Sequence, residues 1–176
     1  MENRVLVAFY SRRGHTRNLA REVCKGLEAT RVQVSCLELE PKREHGLFGV
    51  GTSSLTRSVE PLADDCCADL EGVNLLVLGT PVWGGFPAPY LRSLLEVTKD
   101  LKGLPVVLFA TCAYGDRGAE MELREMVRSR GGRPMDYHIW RIRRDGTRGL
   151  DRTIEAVVGS ALDLLPKDPS RGPLDG

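Results

Sequence analysis

Six consecutive apolar residues, VLVAFY (residues 5–10), form the stretch that decides the fold. A strand is apolar throughout when both faces of its sheet are covered, so this run predicts a buried central strand. Leu19, Val23 and Leu27 then recur every four residues and predict the buried face of a helix over residues 16–28. The two segments together predict a β-α unit of a parallel sheet.

The same alternation of strands and helices continues along the chain. Continuous apolar runs predict the third and fourth strands at residues 73–79 and 104–110, whereas the second and fifth strands, at 32–36 and 135–142, alternate with polar residues. Apolar helical faces are predicted at residues 91–98, 119–127 and 150–165. Half-polar strands suit sheet edges, and the order 2-1-3-4-5 puts the second and fifth strands there. We therefore predict an α/β fold with a three-layer, doubly wound, five-stranded parallel sheet in that order.

Two regions fall outside the regular pattern. Residues 40–60 are rich in Gly, Ser and charge and exceed the length that the connection needs, which predicts a long loop or insertion. Residues 61–70 are compatible with a short second helix. The Pro- and Gly-rich residues 167–176 predict a flexible tail, so we expect a single domain over residues 1–166.

Composition restricts the function classes. Lys and Arg number 25 against 24 Asp and Glu, so the chain lacks the basic excess of a dedicated nucleic-acid binder. No apolar run reaches the roughly 20 residues of a membrane span, and the first residues lack the features of a signal peptide. Five cysteines without a C-x-x-C pair predict free thiols and a cytoplasmic protein. Three histidines far apart in the sequence predict no metal site.

Ligands of an open parallel sheet bind beyond the C-terminal strand ends, where the strand order reverses. For this order, the loops after residues 10, 79 and 110 should form the site. The first loop, SRRGHT (residues 11–16), brings hydroxyls and backbone N–H groups to a helix N-terminus, which favours a phosphate. An ordinary capped turn with solvated arginines is the alternative. The loop matches neither the Walker A pattern nor G-x-G-x-x-G.

The second and third loops carry aromatic and small residues. In TPVWGGFPAP (residues 80–89), Trp83 offers a flat surface to a planar ligand, unless it belongs to the core, and Gly84 and Gly85 can take positive φ. In TCAYGDRG (residues 111–118), Tyr114 is a second ring near such a ligand or a plain surface aromatic. Cys112 suits a small apolar filler better than a ligand contact.

The three loops together resemble those of the flavodoxin-like FMN-binding family, in particular its small members with a Thr-Pro-Val-Trp segment. The resemblance covers residues 4–166. It implies a flavodoxin-like fold and FMN as cofactor, with the phosphate at residues 11–16, the ribityl chain past residues 80–81 and the flavin ring between residues 82–86 and 112–118. It implies no catalytic residue and no metal ligand. The cofactor-binding residues that it implies are Ser11, Arg12, Arg13, Gly14, His15, Thr16, Thr80, Pro81, Val82, Trp83, Gly84, Gly85, Thr111, Cys112, Tyr114, Gly115 and Gly118.

Two features depart from that family. Arg13 stands where the family usually has Ser or Thr, although a guanidinium can replace the hydroxyl through a charge-assisted hydrogen bond. The near-neutral net charge also differs from the acidity that steers classical flavodoxins to basic partners.

Three functions stay open at this point. The first is electron transfer through bound FMN to a redox partner protein. The second is an NAD(P)H-dependent FMN or quinone oxidoreductase with a small-molecule acceptor. The third is a binding module whose flavin site has decayed. Whether the chain is an enzyme is left open by the sequence. An arginine-rich stretch mildly favours an anionic small-molecule partner, and its members are Arg141, Arg143, Arg144, Arg148 and Arg152.

Overall fold

The computed structural model describes residues 3–42, 59–63, 68–98, 100–113 and 115–166. The strands are β1 (Arg4–Phe9), β2 (Gln33–Glu38), β3 (Leu75–Trp83), β4 (Phe86–Pro87), β5 (Pro105–Cys112) and β6 (Arg133–Arg141). The helices are α1 (His15–Glu28), α2 (Tyr90–Thr98), α3 (Ala119–Arg128) and α4 (Ile142–Leu164).

The long strands form a parallel sheet in the order β2-β1-β3-β5-β6. The two-residue strand β4 pairs antiparallel with the end of β3 and lies off this path. Counted without β4, the order is the predicted 2-1-3-4-5, which confirms the fold class. The half-polar strands β2 and β6 lie at the two edges, as their alternation predicted.

Alternate residues of the central strands supply two cores, one on each face of the sheet. Val5, Val7 and Phe9 of β1 pack in a cluster with residues of α1 and α4. Leu6 and Ala8 of the same strand pack in a second cluster with residues of α2 and α3. This two-sided burial explains why β1, β3 and β5 are apolar throughout.

The short helix expected at residues 61–70 is wrong for its described part. Leu62 forms an isolated antiparallel bridge with Pro41, and the N–H of Ala63 donates to the carbonyl of Glu40. This pairing uses backbone groups that a helix would need. Residues 43–58 of the expected insertion and the tail at 167–176 lie outside the described residues.

The expectation of free thiols is wrong for two of the five cysteines. Cys24 of α1 and Cys36 of β2 form a disulfide, with their Cα atoms 6.8 Å apart. The pairing depends on α1 packing beside the edge strand, which cysteine spacing does not reveal. Cys112 is a buried thiol at the end of β5, and Cys66 and Cys67 lie outside the described residues. A cytoplasmic location loses this support and stays a prediction.

Among the described residues, no helix is long and apolar enough to cross a membrane. No group of three or more His, Cys, Asp or Glu side chains is placed there to hold a metal ion.

Candidate functional site

The loops after β1, β3 and β5 meet around an open cleft of about 360 Å³ at the C-terminal ends of the central strands. Ten of the predicted site residues line it: Ser11, Arg12, Arg13, His15, Thr16, Pro81, Val82, Trp83, Thr111 and Cys112. Six others, Gly14, Thr80, Gly84, Gly85, Gly115 and Gly118, do not line it, and Tyr114 lies outside the described residues. The assignment of these residues to a cofactor stays a prediction.

The N-terminus of α1 forms one end of the cleft. Gly14 is its N-cap residue with φ +85°, which a glycine adopts at little cost. The first helical hydrogen bond runs from the N–H of Asn18 to the carbonyl of Gly14, so the preceding N–H groups have no partner within the helix. The described residues provide no side-chain cap, and the first turn contains no acidic residue. This end of the helix therefore favours an anion.

Ser11 has a buried hydroxyl at the same end. It lines the cleft although the residue is only 8% exposed, and its Oγ has no hydrogen-bond partner within the described part of the chain. A buried hydroxyl without a partner costs roughly 1–3 kcal/mol, so an acceptor supplied by a ligand would stabilise it. The phosphate of FMN fits this end of the cleft, because it supplies both an acceptor and a negative charge.

Thr16 and Thr111 join the first loop to the third. Their Oγ1 atoms lie 2.7 Å apart, and both residues are buried. Arg17 does not take part in this contact between the loops. Its Nε donates instead to both carboxylate oxygens of Glu38 at 2.8 Å. That carboxylate raises the pKa of Arg17 above its ordinary value through the hydrogen bond and its charge.

The second loop is a tight β3–β4 hairpin. Gly84 and Gly85 both have positive φ, +61° and +96°, as the glycine pair predicted. A Cβ on Gly85 would lie 2.9 Å from Cβ of Arg117, so this glycine also permits close contact with the third loop. Thr80 is fully buried, and its hydroxyl donates to the carbonyl of Pro81 and accepts from the N–H of Ala88. Thr80 thus stabilises the backbone of the second loop through hydrogen bonds on its buried side.

Trp83 is half-buried and contributes to the wall of the cleft. Its ring packs edge-on against Tyr10, with centroids 5.8 Å apart. It also packs against the core beneath α2 and α3, as the core alternative expected, and its contact with a planar ligand stays a prediction. Together with Val82 and Pro81, it gives this side of the cleft an apolar surface suited to a planar ring.

The third loop is fixed to the edge strand by a polar contact. The hydroxyl of Tyr137 on β6 donates to Oδ2 of Asp116 at 2.9 Å. Burial, and then the Asp116 carboxylate, raise the pKa of Tyr137 above its ordinary value, so the hydroxyl keeps its proton. The carbonyl of Asp116 accepts from the N–H of Ala119 at the start of α3.

Two residues outside the three predicted loops also line the cleft, Ile142 and Arg143 at the start of α4. Ala113 lines it as well and belongs to the predicted third loop, although it was not among the predicted binding residues. Arg143 had been noted only as one member of an arginine-rich stretch. The ring centroid of Trp140 on β6 lies 5.9 Å from that of His15 in an edge-on contact.

Comparison with known proteins supports the same fold. The family model described as NADPH-dependent FMN reductase matches residues 1–144. The chain is similar to a flavoprotein in complex with FMN from Lactobacillus acidophilus NCFM, with 19% identity and a TM-score of 0.65 over 86% of this chain and 98% of that one. It is also similar to a flavodoxin, WrbA-like protein from Agrobacterium tumefaciens, with 15% identity and a TM-score of 0.61 over 93% and 98%.

No curated protein matches the chain. The solved structures confirm the flavodoxin-like architecture. The family match confirms the resemblance on which FMN was expected, and FMN as the cofactor.

Proposed function

The chain belongs to the NADPH-dependent FMN reductase family, and from this premise we propose that it is an NADPH-dependent flavoprotein oxidoreductase with a small-molecule acceptor such as a quinone. Bound FMN supplies a hydride acceptor that passes electrons on singly or in pairs. The chain supplies the binding surface, the charge and the exclusion of water around it.

One observation carries the proposal: the N-terminus of α1 favours an anion that the described residues do not provide. The buried Oγ of Ser11 has no partner among the described residues, and the first turn of α1 has no carboxylate. Arg12 and Arg13 add positive charge beside it. A phosphate ester held here would satisfy the hydroxyl and the helix N–H groups together.

The opposite part of the cleft suits the flavin ring. Pro81, Val82 and Trp83 provide one apolar wall, and Ile142 lines the cleft from the start of α4. These side chains would hold a planar ring through area burial and aromatic contact, at about 25 cal/mol per Å² of apolar surface. They would also keep water from the ring.

An arginine-lined groove beside the cleft supports NADPH as the electron donor. Arg141, Arg144 and Arg152 line this groove of about 490 Å³, and the neighbouring Arg143 lines the cleft itself. Asp145 also lines the groove, where its Oδ2 accepts from the N–H of Arg141. The groove thus offers guanidinium groups to the additional phosphate that distinguishes NADPH from NADH.

The test is anaerobic reduction of the FMN-loaded protein. We expect the purified protein to carry releasable FMN, and NADPH to bleach the visible flavin absorbance, which a quinone then restores. FMN that stays oxidised with NADPH and NADH, yet is reduced by a flavodoxin reductase, would instead identify an electron carrier that docks on protein partners. A protein that binds no FMN would contradict the proposal entirely.

Donor choice gives a sharper test. The double variant Arg144→Ala/Arg152→Ala should raise the KM for NADPH by about tenfold and change that for NADH less than about twofold, because only NADPH loses charge-assisted bonds. Arg128→Ala removes an exposed arginine from α3 and serves as the matched control. Equal changes in KM for NADPH and NADH would show that the groove does not bind the additional phosphate.

A further inference from the structure

We propose that Thr111 is a positioning residue for the cofactor phosphate. Its hydroxyl donates to Oγ1 of Thr16, which commits the hydrogen of Thr16 to the phosphate. This inference rests on the proposed function, since it takes the phosphate to lie at the N-terminus of α1.

The contact between these residues has the geometry of a good hydroxyl–hydroxyl hydrogen bond. The Oγ1 atoms lie 2.7 Å apart, at the usual O–H···O distance. Thr16 is 1% exposed and Thr111 is 2% exposed, yet both border the cleft. The bond is therefore shielded from water on one side and open to a ligand on the other.

A count of hydrogens fixes the direction of this bond when an anion is present. Each hydroxyl has one hydrogen and two lone pairs. If Thr16 donated to Thr111, only lone pairs of Thr16 would remain for the phosphate, and two acceptors would repel each other. For Thr16 to bind the phosphate, Thr111 has to donate to Thr16, so that Thr16 can donate to the phosphate.

The rigidity of β5 makes Thr111 suitable for this task. Its Cα is paired with Pro81 of β3 on one side and with Trp140 of β6 on the other, inside the parallel sheet. Thr16, in contrast, lies in the first turn of a helix that a loop precedes. Thr111 on the rigid strand therefore holds the hydroxyl of Thr16 in the orientation that phosphate binding requires, before the ligand arrives.

One competing arrangement uses the same atoms. Thr16 would donate to Thr111, and Thr111 would donate to the ribityl chain. Riboflavin separates the two arrangements, because it has the ring and the ribityl chain of FMN without the phosphate.

The experiment measures dissociation constants of FMN and riboflavin by flavin fluorescence for wild type, Thr111→Val, Thr111→Ser, Thr16→Val and the double variant Thr16→Val/Thr111→Val. Valine keeps the shape and the strand preference of threonine while removing the hydroxyl. We expect Thr111→Val to weaken FMN about five- to tenfold and riboflavin less than about twofold, because Thr16 loses the partner that orients its hydrogen toward the charged phosphate. Thr111→Ser should restore FMN binding.

The double variant tests the relay directly. It should bind FMN within about twofold of Thr16→Val, because Thr111 acts on the phosphate only through the hydroxyl of Thr16. Losses that multiply, or a Thr111→Val variant that weakens FMN and riboflavin equally, would overturn the inference. If Thr111→Val fails to fold, Thr111→Ala is measured in its place against Thr111→Ser.

Wild-type binding separates this inference from the proposed function. Wild type that binds no FMN, or binds FMN no more tightly than riboflavin, would contradict the phosphate site itself. Wild type that prefers FMN, with Thr111→Val retaining the full preference, would overturn only the role of Thr111.

Discussion

Helices α1 and α3 begin alike and differ in the charge that follows. Each comes after a central strand and has a glycine with positive φ at its N-cap, Gly14 at +85° and Gly118 at +119°. Neither receives a side-chain cap from the described residues. The first turn of α3 contains Glu120 and Glu122, whereas that of α1 contains no acid. Two carboxylates therefore oppose the dipole of α3, whereas no carboxylate in the first turn opposes that of α1.

The residues around the two helices differ in the same way as their first turns. Around α3, polar groups satisfy one another: Arg92 pairs with Glu122, and Arg124 pairs with Glu120. Beside α1, the buried hydroxyl of Ser11 lacks a partner within the described ranges. Substitutions near α3 should therefore change stability, and substitutions near the start of α1 should change cofactor binding.

The largest effect is expected from breaking the α3 network. The side chains of Arg92 and Glu122 are only 16% and 9% exposed, so Arg92→Ala leaves a largely buried carboxylate without its cation. We expect the free energy of unfolding to fall by about 3 kcal/mol, with FMN affinity within a few-fold of wild type. Urea denaturation and FMN titration measure both, and Arg128→Ala is the exposed control. A large loss of FMN affinity in a folded Arg92→Ala protein would contradict the division between stability around α3 and cofactor binding at α1.

Giving α1 the acid that α3 already has should come next. His15 is exposed in the first turn of α1, so His15→Glu disturbs little of the core. Two unit charges about 6 Å apart repel by about 2.8 kcal/mol at an effective dielectric near 20, and we therefore expect FMN to bind about 100-fold more weakly. His15→Gln should stay within a few-fold, and Glu120→Gln in α3 should have no effect on FMN. An unchanged dissociation constant in His15→Glu would move the phosphate away from α1.

Ser11→Ala should have opposite effects on stability and binding. Removing a buried hydroxyl that lacks a partner should leave the protein without cofactor as stable as wild type or slightly more stable. FMN should bind about tenfold more weakly, as one hydrogen bond to a charged group is lost. Thermal unfolding without and with FMN measures both signs. A Ser11→Ala protein destabilised without cofactor would mean that the hydroxyl has an internal role.

The main features of the fold follow from the sequence because strands buried on both faces are apolar throughout, whereas edge strands alternate with polar residues. The apolar runs of β1, β3 and β5 and the alternation of β2 and β6 are enough to order the sheet. The helical spacing of apolar residues predicted that α1 starts at residue 16, within one residue of its observed start at His15. The three cleft loops follow from that order through the rule on strand ends.

What the sequence did not predict depends on contacts between distant segments. The Cys24–Cys36 disulfide requires the packing of α1 beside β2. Arg143 reaches the cleft because α4 starts directly where the edge strand ends. Thr80 belongs to the site motif, but the N–H of Ala88 already uses its hydroxyl. No local pattern contains that information.

The smallest expected effect is a pH dependence of stability at a polar pair between β6 and α4, away from the starts of α1 and α3. His138 of β6 is half-buried, and its Nε2 lies 2.9 Å from Oγ of Ser160 on α4. Burial lowers the pKa of His138 below its ordinary value, although the nearby Asp136 carboxylate acts in the opposite direction. Between the folded and the unfolded pKa, the unfolded chain takes up a proton that the folded chain does not.

The contribution of His138 to stability should therefore be complete above about pH 6.5 and decline as the pH falls toward the lowered pKa of the folded state. Urea denaturation of the protein without cofactor, at several pH values on both sides of this point, measures the decline. His138→Gln should flatten it, whereas Ser160→Ala, which removes the hydrogen bond and keeps the buried imidazole, should retain it. A profile that stays equally steep in His138→Gln would assign the pH dependence to other groups. It would leave the division between α1 and α3 to rest on the Arg92, His15 and Ser11 variants.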